Sequence, residues 1–391
     1  MTQQFVELSE IIAKGTGSIN PASYVDEHFE LYSIPAFDAG KPEAKTGAEI
    51  GSSKQIVKPG DVLLSKIVPH IRRSWIVGPA TGKRIIASGE WIVFRGERFN
   101  PKYLRHVLVA DPFHLQFMNT VAGVGGSLLR ARPAHVAKIR IPLPPLSEQK
   151  RIAEILDRAE ALRAKRRAAL ALLDELTQSI FLDMFGDPVS NPKGWDDSMT
   201  LADVASIGSG ITKGRRTTDP VRTVPYMAVV NVQDKMLDLS VVKTIEATEK
   251  EIERYRLRRN DLLLTEGGDA DKLGRGTLWA EELTECIHQN HIFRVRLETS
   301  IVSPLFLNWL VGGPRGKRYF LRQAKQTTGI ATINMTQLKS FPMLIPPLNL
   351  QDKFSNRILH LEGMRLAQMR SFVELDQLFA SLQHRAFRGE L

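Results

Sequence analysis

Two stretches built on one plan limit what this chain can fold into. Pro144-Pro145-Leu146-Ser147-Glu148-Gln149-Lys150-Arg151-Ile152 opens a run to about Phe185 in which apolar or small residues fall at Ile152, Ile155, Ala159, Leu162, Ala169, Leu173, Leu176 and Ile180. Most steps are three or four, with Arg166 and Asp183 as polar exceptions, which is the heptad seam of a helix that pairs with another helix. The two prolines force an extended approach, Ser147 is placed as N-cap, and Glu148 sits where the helix dipole favours a negative charge. A helix over 147–186 runs about 58 Å at ~1.5 Å per residue, too long for the packing of one ordinary domain. It must connect or associate.

The same stretch occurs twice. Pro144, Pro145, Leu146 and Gln149 reappear as Pro346, Pro347, Leu348 and Gln351, with Asn349-Leu350-Gln351-Asp352 as an equivalent cap. Ser179, Ile180 and Phe185 match Ser381, Leu382 and Phe387 at the same spacing, and the second seam reads Phe354, Ile358, Leu361, Phe372, Leu375, Leu378 and Leu382. A helix–helix interface is therefore expected from Ile152, Ile155, Leu162, Leu173, Leu176 and Ile180 against Phe354, Ile358, Leu361, Leu375, Leu378 and Leu382. One half of the chain is a copy of the other.

The blocks before each helix repeat in outline. Leu8 to Ala13 is a short amphipathic opening before the glycine loop Lys14 to Ile19. Leu31 to Phe37, Gly60-Asp61-Val62-Leu63-Leu64-Ser65, Trp75 to Val77 and Glu90 to Phe94 read as strands, and Pro101 to Met118 as helix. In the second block Leu201 to Ala205 leads to Gly208-Ser209-Gly210, and Asn260-Asp261-Leu262-Leu263-Leu264-Thr265 matches the strand at Gly60. The loops leaving these two strands differ. The first strand continues into the basic Lys66-Ile67-Val68-Pro69-His70-Ile71-Arg72-Arg73, the second into Glu266-Gly267-Gly268-Asp269-Ala270-Asp271-Lys272-Leu273-Gly274-Arg275. Shared scaffold with unlike loops is what two readers of different targets need.

With 391 residues and 43% hydrophobic content the chain can bury more than one core. The net charge is +10, but acids and bases nearly balance along the two long runs, so the excess falls on the flanking blocks. Basic paired blocks point to a polyanion such as DNA, against the plainer reading of a generic solubility charge. No stretch has the ~20 consecutive apolar residues of a membrane span, and the start lacks a basic, then apolar, export signal, so the cytoplasm is expected. The single cysteine, Cys286, excludes an internal disulfide and a thiolate-rich metal site, and the histidines show no ligand spacing.

The repeated Pro-Pro-Leu-x-x-Gln entry, the Gly-Asp-x-Leu-Leu strand and the duplicated block-helix order resemble the specificity (S) subunit of Type I restriction-modification enzymes. Pro-Leu-Pro-Pro-Leu-Ser-Glu-Gln-Lys-Arg-Ile at 142–152 carries the resemblance most specifically. The second copy departs from it at Asn349-Leu350 and Asp352-Lys353. The resemblance implies an α+β fold with a pseudo-twofold internal repeat. Two globular α/β target-recognition domains, residues 1–146 and 187–348, are separated by two long antiparallel coiled-coil spacer helices, 147–186 and 349–391. It also implies double-stranded DNA as ligand, each domain reading one half of a bipartite target, and two modification (methyltransferase) subunits as partners. Restriction (ATP-dependent translocase/endonuclease) subunits join them, and S-adenosylmethionine and ATP bind those partners, with no cofactor or metal in this chain.

Loop cations beside the strand ends are the candidates for DNA contact: Lys66, His70, Arg72, Arg73, Arg130 and Arg132 in the first domain, and Lys213, Arg215, Arg216, Lys272 and Arg275 in the second. Arg254 to Arg259 is as well explained by an exposed face. A free-standing DNA-modifying enzyme, methyltransferase or nuclease, is the alternative reading, and a general coiled-coil adaptor a third. An adenine methyltransferase needs an Asn/Asp-Pro-Pro-Tyr/Phe loop, and Asn100-Pro101-Lys102-Tyr103 and Asp111-Pro112-Phe113-His114 each lack the second proline. Gly123-Val124-Gly125-Gly126-Ser127 has no strand and helix around it in nucleotide-binding order and reads as a turn or recognition loop. Glu148-Gln149-Lys150 belongs to a helix start, and Asp269 and Asp271 read as loop acids or acceptors toward cytosine N4. No catalytic constellation emerges.

Overall fold

Alternation along one short strand explains the layering of each half. The computed structural model describes residues 4–123, 129–269, 272–327 and 330–391. In the first half, β1 (Val62–Ser65) is flanked by β2 (Ser74–Ile76) and β3 (Trp91–Phe94) in an antiparallel sheet of order β2-β1-β3. All four residues of β1 are buried. Successive side chains of a strand point to opposite faces. Val62 and Leu64 accordingly join the core made with the helices Pro101–Val109 and Asp111–Met118, while Leu63 joins Tyr32, Val57, Val77 and Trp91 on the other side. That second layer includes a five-stranded sheet containing His28–Tyr32 and Arg84–Ala87.

The second half repeats the plan. Its sheet has the order β4-β7-β5-β6, from β4 (Ala205–Ser209), β5 (Leu262–Thr265), β6 (Gly276–Leu278) and β7 (Ile292–Leu297). Leu262 and Leu264 face the helices Pro304–Gly312 and Pro314–Gln323, and Leu263 faces Met227, Trp279 and Ile292.

The duplication extends to single hydrogen bonds. The Asp61 carboxylate, 2% exposed, accepts from the Lys58 N–H at 2.8 Å and from Arg95 at 2.8 and 2.6 Å. Asp261, 1% exposed, accepts from the Arg258 N–H at 2.7 Å and from Arg296 at 2.7 and 2.7 Å. The Gly-Asp of the first strand motif and the Asn-Asp of the second are thus anchors. Gly60 (φ 84°) and Asn260 (φ 70°) both turn left-handed to aim them. Removing the carboxylate strands an arginine on a part-buried site, a loss of about 3–5 kcal/mol for a broken buried pair. Asp61→Ala and Asp261→Ala should each lower the melting temperature by on the order of 10 °C in a calorimetric scan; a shift within a degree of wild type would remove these pairs as anchors.

Gln149 and Gln351, the repeated glutamines, explain why each proline-rich entry is kept. Gln149 Oε1 accepts from the Asn100 N–H at 2.8 Å, and its Nε2 donates to the Pro144 and Arg98 carbonyls at 2.7 and 3.2 Å. Gln351 Oε1 accepts from the Ser303 N–H at 2.8 Å and its Nε2 donates to Pro346 and Ile301 at 2.7 and 3.0 Å. Each amide satisfies three backbone groups and ties a long helix to the start of its block's own helices.

The long helices span Leu146–Phe185 and Leu348–Ala386, 40 and 39 residues. Both begin one residue earlier than the expected caps, because the Pro145 carbonyl accepts from Glu148 and Gln149 N–H and the Pro347 carbonyl from Leu350 and Gln351. Ser147 and Asn349 therefore lie inside the first turn. Gly186 (φ 78°) ends the first helix. The expected strand Leu31 to Phe37 stops at Tyr32, since Ser33 Oγ accepts from the Ala36 N–H at 3.0 Å and starts a helical turn at Ile34. The expected helix Pro101 to Met118 breaks at Ala110, ahead of Pro112.

Two compact units divide the chain, one holding residues up to Ala169 with Gln368–Leu391, the other Leu170–Ala367. Each contains one block and part of both helices. Sheltered positions step by three and four along the second helix: Phe354, Ile358, Leu361, Arg365, Gln368, Phe372, Leu375, Phe379 and Leu382. On the first they pass through Ile152, Leu156, Ala159, Arg163, Arg166, Leu170, Leu173, Thr177, Phe181 and Met184. Ile155 and Ile180 are half-buried beside them. Three expected interface residues fall off this line: Leu162, Leu176 and Leu378 are 53%, 43% and 52% exposed, and Arg163, Thr177 and Phe379 take the sheltered places one residue later.

The physical reason is a polar middle to the seam. In the first unit Arg163 pairs with Asp376 and lies 4.4 Å from the Phe379 ring, Arg166 donates to Gln368, and Arg167 lies 5.8 Å from the Phe372 ring. Guanidinium groups of Arg163 and Arg167 thus lie over aromatic rings where leucine contacts were expected. Contacts of 163 with 376 and 167 with 372 run in opposite directions, so the helices are antiparallel. In the second unit the Phe181 and Phe185 rings meet Phe354 at 5.5 and 5.3 Å.

Candidate nucleic-acid interface

Strand register gathers the loops of each unit at one end of its sheet. In the first, Ser65 at the end of β1 faces Trp91 at the start of β3, and Leu64 faces Ser74. The Lys66–Arg73 loop and the Ser88–Glu90 turn therefore emerge together. The Lys66 carbonyl accepts from the Ala131 N–H at 2.8 Å, the Val68 N–H donates to the Leu129 carbonyl at 3.0 Å, and Ile67 bridges to Arg130. Lys66, Arg130 and Arg132 are thereby brought together. Val68, β-branched and followed by Pro69, holds φ at 49°, an uncommon conformation that marks a loop whose shape is imposed by its surroundings.

Among the described residues Lys66, His70 and Arg132 make no side-chain hydrogen bond or ion pair, so their donors face outward or rest half-covered. Arg130 meets Glu90 at 3.3 Å, and Arg72 meets Asp111 at 2.6 Å with both side chains accessible. Arg73 differs. It is 8% exposed and grips Asp38 through two hydrogen bonds of 2.8 and 2.9 Å, which fits a brace between loop and helical turn better than a DNA contact. Of the glycine loop only Gly123 is described; Val124, Gly125, Gly126 and Ser127 lie outside the described residues.

In the second unit Thr265 faces Ile292, Leu264 faces Gly276, and Ser209 faces Phe293. The Glu266–Arg275 loop, the Gln289–His291 turn and the chain after Ser209 thus share one sheet end. Gly267 and Gly268 pair with Thr332 and Ala331, and a Cβ on Gly267 would come within 2.8 Å of the Ala331 carbonyl oxygen, which reserves that position for glycine. Lys272 pairs with Asp269, whose carboxyl it holds below the usual range. Arg275 donates to Gln233 Oε1 at 3.1 Å. Asp271 lies outside the described residues. Arg215 pairs with Glu251 and pushes its carboxyl down to about 2. Lys213 sits 5.0 Å over the Tyr226 ring, and the exposed Arg216 has no side-chain partner among the described residues. The Arg256–Arg259 run belongs to the opposite end of the sheet, beside Asp261.

Sequence reasoning passed over the Ser88–Glu90 and Gln289–His291 turns. Each is a polar run directly before a buried strand, and that change of character is the signal that marks them. Among the described residues one group, His106, Asp157 and Glu160, has its ligand atoms close enough for a metal ion. Lys102 and His106 each sit 2.8 Å from Asp157 and Arg105 pairs with Glu160, so these acids already have cations and act as ties between the Pro101–Val109 helix and the first long helix.

A family model described as the Type I restriction modification DNA specificity domain matches residues 4–171. The Type I restriction enzyme StySPI specificity subunit of Salmonella potsdam is 24% identical over 314 residues, 76% of this chain and 67% of that protein. The EcoKI specificity subunit of Escherichia coli is 24% identical over 283 residues, 68% of this chain, and the match spans about three fifths of its length, 61%. Among solved structures, a chain from work on complex assembly and conformational transition of the type I R-M system is similar with a TM-score of 0.58 at 20% identity, covering 99% of this chain and 98% of that one. The Type-I restriction-modification S subunit of M. genitalium has a TM-score of 0.56 at 9% identity, with 99% and 96% covered. These two likenesses speak for the fold, and in sequence the chain is similar to the DNA specificity domain over residues 4–171 and to Type I restriction enzyme specificity subunits over a longer span.

Proposed function

We propose that this chain is the non-catalytic DNA sequence-specificity subunit of a Type I restriction-modification complex, reading a bipartite target with one half-site per domain. One observation carries the reading. Two sheets of the same register present, at the same end, loops with unlike side chains: Lys66, His70 and Arg132 in one unit and Lys213, Arg216, Lys272 and Arg275 in the other. Cations at such loops supply the phosphate contacts that position a domain, and their unlike neighbours supply base discrimination.

Two modification subunits dock on the long helices. Support comes from leucines that the helix pairing leaves uncovered: Leu162 and Leu378 in the first unit, and Leu172, Leu176, Leu359 and Leu366 in the second, each more than 40% exposed. S-adenosylmethionine binds those subunits, ATP the restriction subunits, and the assembly works in the cytoplasm. Among the described residues no helix is long and apolar enough to cross a membrane.

The purified chain alone should neither bind S-adenosylmethionine in calorimetry nor transfer methyl groups to DNA, while adding the modification subunits should produce methylation at one bipartite sequence. Methyl transfer by the isolated chain would establish the free-standing enzyme instead.

A further inference from the structure

The backbone of the Gln289–His291 turn is held as firmly as the sheet beside it. The Gln289 N–H donates to the Met227 carbonyl at 3.0 Å, the Asn290 N–H to Ile211 at 3.0 Å, the Ile292 N–H to Gln289 at 3.0 Å, and Ser209 Oγ to the Asn290 carbonyl at 2.7 Å. A Cβ on Gly210 would collide with the His288 carbonyl oxygen, so the neighbouring loop packs directly on this turn. His291 is fixed to Glu266 at 2.6 Å. Among the described residues the side-chain amides of Gln289 and Asn290 have no hydrogen-bond partner, and both residues are half-exposed. A rigid backbone thus holds two half-exposed amides whose donors and acceptors are open to an incoming partner.

The first unit has the same turn with other side chains. The Ser88 N–H donates to Tyr32 at 3.0 Å, the Trp91 N–H to Ser88 at 3.2 Å, and the Lys66 N–H to Glu90 at 3.0 Å, the counterparts of Gln289 to Met227, Ile292 to Gln289 and Glu266 to His291. Ser88-Gly89-Glu90 thus occupies the place of Gln289-Asn290-His291. A purely structural turn in a duplicated scaffold has no reason to exchange glycine and serine for two amides at equal geometry.

We infer that Gln289–His291 is a base-reading element of the second domain, in which the Gln289 or Asn290 amide takes an adenine edge in the major groove. A side-chain amide offers one donor and one acceptor in a plane, the complement of adenine N7 and N6. The inference rests on the proposed function and adds the residues and the base.

The test is methylation-site mapping on DNA libraries randomised in both half-sites, using the full chain assembled with its modification subunits. Gln289→Ala or Asn290→Ala should relax one adenine-containing position of one half-site by about tenfold to a hundredfold, leaving the other half-site as in wild type. Should alanine weaken assembly, the near-isosteric Gln289→Glu and Asn290→Asp keep the shape, remove the donor–acceptor pair and should lose the same adenine preference. Wild-type specificity in all four variants, relaxation spread over both half-sites, or relaxation at a position without adenine on either strand would each overturn the inference. A wild-type complex with no bipartite site would instead overturn the reading beneath it.

Discussion

Inserting one heptad into both long helices at facing points, after Arg166 and before Gln368, is expected to leave the subunit folded and to lengthen the spacer of its DNA target. The heptad keeps the seam in phase, because seven residues return a helix to within ~20° of its starting face. It adds about 10 Å of helix. A turn of about 10 base pairs spans roughly 34 Å, so the half-sites move apart by up to about 3 base pairs, less where the helices lie oblique to the DNA. The bases read at each end stay the same. Insertion into one helix alone puts the Arg163–Asp376 contact and the Phe181–Phe354 contact out of step by seven residues, so both cannot be kept. Assembly with modification subunits should then weaken by at least about tenfold, as expected when an antiparallel pair loses its register. Site mapping checks both, and an unchanged spacer in an active double insertion would show that the helices do not set the distance.

The repeat and the two long helices were legible because they rest on local rules: proline before a helix, a 3.5-residue period, glycine after it. The polar centre of the seam was not. Apolar periodicity selected Leu162, Leu176 and Leu378, whereas Arg163, Thr177 and Phe379 hold the sheltered places. Arginine looks like surface in a sequence, and only its guanidinium, lying over the Phe379 ring and paired with Asp376, makes it part of an interface. The exposed leucines are the surface on which the proposed modification subunits would dock.

At the loop end of each sheet, the cations stood out in the sequence and their individual ion pairs did not. Arg73 and Arg215 look like Arg132 and Arg216 in sequence, yet the first two are held by Asp38 and Glu251, acids 35 and 36 positions away. Such pairing depends on tertiary neighbours that no local pattern encodes. The buried acids tell the same story from the other side. Gly60-Asp61 and Asn260-Asp261 stood out as strand motifs, but their task of gripping Arg95 and Arg296 emerges only once β1 lies beside β3 and β5 beside β7.

One domain per half-site is the central claim, and methylation-site mapping of the Lys272→Ala, Arg275→Ala double variant in its complex tests it most directly. Lys272 and Arg275 belong to the second unit alone, and Lys272 is accessible beside Asp269. Loss of a phosphate-contacting cation weakens binding, while loss of a bidentate base contact relaxes one position by roughly tenfold or more. A bipartite motif is expected in wild type, and in the variant a relaxation of at least about tenfold confined to one half of it. A motif whose two halves relax equally, or a single uninterrupted motif in wild type, would contradict the claim.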